Sequence, residues 1–232
     1  MIKNISIYFF LHLVLVNPLG AQEKDDYYVK PENPIPEYQF QLKTNPFVYF
    51  WGAIPLTAEY RIVGETMVSK NQSAQIAISY LGKGVILKIY EDSANGSSKF
   101  VVNGFRLQYT HKFFFNRSKN TQLLYNPYGF YIGPHISYSS AKITSKTGNV
   151  YDIYINGIHM NANIFIGYQT LIYNQFPFDV FFGLGIKENM WTENYRNPNQ
   201  HRVVDMGRMG KYYNSNFKIS LGFNIGIGIK KI

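Results

Sequence analysis

Two residues apart, His135 and Ser137 are spaced to share one face of a strand. A histidine that accepts the serine proton makes that hydroxyl able to attack an ester or amide carbonyl. The arrangement needs a carboxylate to steady the histidine, and downstream of Ser137 none occurs before Asp152. Glu59 and Arg61 have the same spacing and could pair locally. Arg106, His159, Asp179, Lys187 and Lys218 fall at matching positions of other extended segments. If these faces line one lumen, its charges must pair or be hydrated, because an unpaired buried charge costs several kcal/mol. Two uses follow: an ion-paired plug, or a narrow path for ions and small solutes through the same charges.

Other chemistry is thinly represented. His111, His159 and His201 lack metal-ligand spacing, and the chain has no cysteine, so no thiolate metal site or disulfide framework exists. The glycine-rich C-terminal run lacks the strand-to-helix setting of a dinucleotide loop. No metal and no cofactor is expected.

The elements that must hold these groups are strands. From Ser215 to Ile229 the odd positions are almost wholly apolar (Phe217, Ile219, Leu221, Phe223, Ile225, Ile227, Ile229) and the even ones polar or glycine. A strand sends successive side chains to opposite faces, so this one meets two different solvents. Lipid outside and a polar lumen inside have that character.

Seven further candidates precede it: about 45–52, 56–68, 73–80, 102–115, 128–140, 153–170 and 176–187. Inward faces collect Glu59, Arg61, Arg106, His135, His159, Asp179, Lys187 and Lys218. Outward faces collect Tyr60, Ile62, Ile78, Leu107, Ile136, Ile164, Phe182 and Leu184. Short or moderate links alternate with longer ones at about 82–101, 141–152 and 188–214. Short periplasmic turns and long outer loops have this rhythm, with both chain ends periplasmic. The sequence therefore predicts an all-β fold, an eight-stranded antiparallel up-and-down transmembrane β-barrel, over 44–232.

Residues 1–21 read as a signal peptide, with Lys3, an apolar run from Ile5 to Val16, and small residues before Gln22. Residues 22–43, rich in proline and acids, read as a periplasmic leader. No later stretch has the ~20 apolar residues of a membrane helix. Twenty tyrosines and 18 phenylalanines outnumber the 14 acidic residues, which suits interfacial girdles. The formal charge of +9 forms no clustered stripe, which argues against nucleic acid as a partner. The outer loop at 188–214 carries Trp191, Arg196, Arg202, Arg208 and Lys211, suited to lipopolysaccharide phosphates or an external partner.

WGAIPLTAEYRIV, SAQIAISYLGKG, GFYIGPHISYSSAKI and FDVFFGLGIK resemble small outer-membrane β-barrel proteins of Bacteroidetes-type bacteria, a family of unknown function. The resemblance covers about Lys43 to Ile232. It implies residence in the outer membrane of a Gram-negative bacterium, among its lipid and lipopolysaccharide, and delivery by the barrel-insertion machinery. It implies no catalytic residue. The chain departs from many such barrels by ending in Ile232 after two lysines, where they end in an aromatic. His135-Ile136-Ser137 also resembles the His-x-Ser element of the lipid A deacylases. Their motif continues with Asn where this chain has Tyr138, and their site faces lipid while these two residues face the lumen. The expectation is a structural or surface-interaction barrel without enzyme activity. The alternatives are a narrow pore and, behind it, a lipid A-modifying enzyme.

Overall fold

The computed structural model describes residues 38–230 apart from 51, 55, 70, 94–98, 116–127, 148–150, 174–175 and 195–214. The proposed signal peptide, most of the leader, and Arg196, Arg202, Arg208 and Lys211 lie outside the described residues.

Eight antiparallel strands follow one another around a closed ring: β1 (Tyr38–Thr44), β2 (Thr57–Ser69), β3 (Gln72–Lys83), β4 (Lys99–Phe114), β5 (Gly129–Thr147), β6 (Tyr151–Ile172), β7 (Phe176–Asn194) and β8 (Phe217–Lys230). β8 closes the ring on β1, with Gln41 opposite Gly228. Following the ladders the other way from Gln41, through Glu65, Gln75, Thr110, His135, Asn163 and Gly185, leads to Lys218, ten residues from Gly228. A stagger of ten over eight strands tilts them by about 40° to the barrel axis, within the usual range. Residues 38 and 230 mark what we term the termini end; the other is the loop end.

The first strand is not where the apolar run NPFVYFWG suggests. Asn45 Oδ1 accepts the Phe47 N–H at 3.1 Å and Pro46 has no N–H to give, so Pro46–Tyr49 winds into a 3-10 turn. The strand is YQFQLKT, all but Thr44 inside what reads as leader. Leu42 and Phe40 point out, while Gln41 and Lys43 are buried within. All three outer links also differ. β5 and β6 run on until only 148–150 separate them, β7 runs on to Asn194 inside 188–214, and 82–101 contains a helix, α1 (Val85–Ser93). Leu87 of α1 packs on Phe100, Val102 and Ile143.

Outside, the barrel is apolar. Ile62 and Ile78 are 66% and 60% exposed, and Phe105, Leu107, Ile136, Ile166, Leu184 and Leu221 continue the surface. Phe113, Tyr168 and Phe176 ring the termini end. No described helix is long and apolar enough to cross a membrane.

Inside, large rings lie over cross-strand glycines. Tyr131 faces Gly167, Phe165 faces Gly183, Phe181 faces Gly222, and Trp191 faces Gly157, each pair directly opposite in the ladder. A Cβ at any of these glycines would run into the ring. Glycine on the polar face is thus a socket for an aromatic on the next strand.

Candidate functional site

The lumen side chains form two tiers. The tier at the termini end is built by all eight strands. Lys112 of β4 donates to Asp179 Oδ2 of β7 at 2.7 Å, to Gln169 Oε1 of β6 at 2.8 Å and to Glu65 Oε2 of β2 at 3.0 Å. Lys43 of β1 donates to Glu65 at 2.5 Å and to Gln169 at 3.0 Å. Tyr131 of β5 donates to Asp179 Oδ1 at 2.7 Å, Asn224 of β8 to Asp179 Oδ2 at 3.1 Å, and Ser73 of β3 to Glu65 Oε1 at 2.6 Å. Lys43, Glu65, Lys112 and Asp179 are each 2% exposed or less. Two ammonium groups thus face two carboxylates out of water, with further donors filling the oxygens. That geometry is what a buried ion cluster needs to offset desolvation.

An aromatic stack follows. The His135 ring lies on Phe165 at 4.2 Å, and Phe165 lies on Phe181 at 4.9 Å.

Glu59 centres the second tier, toward the loop end. Its Oε1 accepts from Arg61 Nε and Ser79 at 2.7 Å and from Gln108 at 3.0 Å; its Oε2 accepts from Arg106 at 3.0 Å. Arg106 also donates to Ser137 at 3.1 Å. His159 shares a 2.5 Å bond with Asn189 through Nδ1, while Lys218 donates to its Nε2 at 3.0 Å. Lys187 lines the same space.

The eight lumen residues expected from the sequence are therefore divided. Glu59, Arg61, Arg106, His159, Lys187 and Lys218 share the second tier, His135 lies in the stack, and Asp179 joins the first tier. Lys43, Glu65, Lys112 and Gln169 join them beyond that expectation. The alternation that marks Glu59 and Arg61 on β2 continues to Glu65, and that of Arg106 on β4 continues to Lys112. Lys43 lies before the strand that the sequence suggests at 45–52 and inside the observed β1.

His135 and Ser137 do not pair. His135 Nδ1 shares its bond with Thr110 at 2.8 Å, and Ser137 Oγ accepts from Arg106 and, at 2.7 Å, from Asn161. Trp191 is not on an outer loop. It belongs to β7, and its indole packs inward with Ile54, Leu81 and Ala141, since the ladder continues to Asn194. Among the described residues, no three histidine, aspartate or glutamate side chains converge on a metal position.

Above the first tier lies a chamber of about 300 Å³. Arg61, Arg106, Lys187 and Lys218 reach it, with Glu59 the one carboxylate among its described lining residues.

A closed sheet with an apolar outer face and a polar, bonded interior defines a transmembrane β-barrel. No protein-family model matches the chain, and no curated protein matches it. Among solved structures it is similar to Acinetobacter baumannii CarO, with 10% identity, covering 85% of this chain and 100% of that one, at a TM-score of 0.38. The class rests on the barrel's own faces and ladders.

Proposed function

We propose that the protein is a non-catalytic barrel of the outer membrane of a Gram-negative bacterium, of structural or surface-interaction type, with its lumen closed to solutes. The observation that carries the reading is the first tier. Two lysines, two carboxylates, a tyrosine and a glutamine meet there from around the ring, and an eight-stranded barrel is only wide enough for its own side chains to fill. Outward contacts then fall to the loop end, where basic and aromatic residues suit lipopolysaccharide or an external partner. Small Bacteroidetes-type barrels remain the family this chain resembles in sequence. The separate engagements of His135 and Ser137 favour the absence of catalysis.

A narrow ion path is the second reading, and the chamber above the first tier favours it. Planar-bilayer recording separates the two. Purified protein should give no stable porin-sized conductance; steady large steps, or sugar uptake by liposomes carrying it, would overturn the closed lumen. Fractionation supplies the test of location, since recovery as a soluble periplasmic species would sink the membrane assignment.

A further inference from the structure

The barrel wall has a seam on the side of the chamber. β1 ends at Thr44, whose partner on β8 is Ile225. From Phe217 to Asn224, β8 has strand partners on β7 alone. Across the seam, β2 from Thr57 to Ile62 is paired with β3 alone. The 3-10 turn at Pro46–Tyr49 packs between the two edges. Thr44 Oγ1 donates to the Arg61 carbonyl at 2.7 Å, satisfying one edge group of β2.

The chamber reaches this seam. Its lining includes Phe217, Lys218, Ile219, Ser220 and Leu221 in unbroken succession. Alternate strand residues face opposite sides, so a cavity behind a complete wall would touch every second one. One that touches five in a row passes around the strand edge. The opening is therefore lateral, toward the layer that holds lipid chains, and its lip is apolar: Phe217, Ile219 and Leu221 are all exposed.

The inner side of the opening is cationic. Arg61 binds Glu59 through Nε, and among the described residues its terminal nitrogens have no partner. Lys218 Nζ donates to the His159 ring, and no described carboxylate lies within ion-pair reach of it. We propose that this chamber binds an amphiphile with one compact anionic headgroup, which enters sideways from the lipid. The headgroup rests on Arg61, Arg106 and Lys218, and the alkyl chain leaves over Phe217, Ile219 and Leu221. A volume of about 300 Å³ is at the lower end of ligand pockets, enough for the headgroup and first methylenes while the rest of the chain stays in the bilayer. The inference rests on the closed-lumen reading, because the first tier is the chamber's floor.

The test uses the purified full chain in neutral detergent micelles at neutral pH, with 5-doxyl stearate, whose label sits on the methylenes beside the carboxylate, as the probe and electron paramagnetic resonance as the readout. A strongly immobilised component is expected with the acid and not with its methyl ester. Lys218→Met should weaken binding about tenfold, the worth of one charge-assisted contact. Leu221→Trp, which obstructs the lip, should also reduce the immobilised component while leaving the heat-dependent gel shift of the folded barrel. Equal immobilisation of acid and ester, or native binding by the folded variants, would overturn the site. If Lys218→Met does not fold, Leu221→Trp decides. Conductance reports on the floor separately, so a leaking lumen with retained stearate binding would remove the closed-lumen reading alone.

Discussion

The Lys112 ammonium on β4 stands 2.7 Å from the Asp179 carboxylate on β7, although 67 residues and three strand-to-strand steps separate them. The contact spans the lumen and is shared with Glu65, Gln169 and Lys43. Lys112→Met would leave two buried carboxylates around Lys43, the one ammonium remaining in the described tier. The expected cost is about 3–5 kcal/mol. Lys112→Met combined with Asp179→Leu restores the charge balance and should cost less than the two single changes together, with a coupling of about 0.5–3 kcal/mol. Urea unfolding in lipid vesicles measures both. Additive losses would mean that the pair is not coupled as its geometry requires.

The same tier depends on a glycine. Gly167 lies directly opposite Tyr131, and a Cβ there would meet the phenol ring. Gly167→Ala should push the ring away from Asp179 and cost about 1–3 kcal/mol through crowding and the lost bond. In a Tyr131→Ala background the same change should cost much less. An equal loss in both backgrounds would assign the effect to the backbone of β6 instead of the socket.

Much of this was legible in the sequence. Strict alternation at Phe217–Ile229 gives β8 and its faces, because a barrel wall repeats one simple period. The first strand was not legible, since Asn45 and Pro46 turn an apolar run into a 3-10 turn and YQFQLKT looks like leader. The sequence also understates the length of β5 to β7. SSAKITSKTGNVYDIY is polar enough to pass for a loop, yet past the apolar band a strand needs only its ladder. As for the site, parity supplied Glu59, Arg61, Arg106 and Asp179. What it could not supply was which charges meet across the lumen, because that depends on the stagger of the closed ring.

At the loop end, pH should control the seat of α1. Glu91 accepts from Lys83 Nζ at 2.8 Å through both oxygens and from the Phe100 backbone N–H. Chiefly the lysine bond, and then the backbone bond, hold its carboxyl below the usual range. A depressed folded value means that the contribution is complete above the unfolded value of about 4.3 and is lost as pH falls through the lower folded one. Hydrogen-exchange protection of 85–93 should therefore be higher at pH 6 than at pH 3, and Glu91→Gln should flatten the difference. A pH difference unchanged in the variant would place the controlling group elsewhere.

The outer face carries its own depth scale. Ile78 sits in the middle of β3 at 60% exposure and Val68 near the termini end of β2 at 52%, so the two are similarly open. In water, Arg at either position would cost little, because surface substitutions there stay within about 0.5 kcal/mol. In a bilayer the cost of a charge depends on depth, about 2–4 kcal/mol at the midplane and about 0–1 near the interface. Ile78→Arg should therefore destabilise the vesicle-embedded barrel by far more than Val68→Arg. The contrast does not depend on lumen contacts, since neither side chain points inward. Equal small effects at both positions would mean that the apolar face does not meet lipid, and the barrel would have to be read as one that works in water.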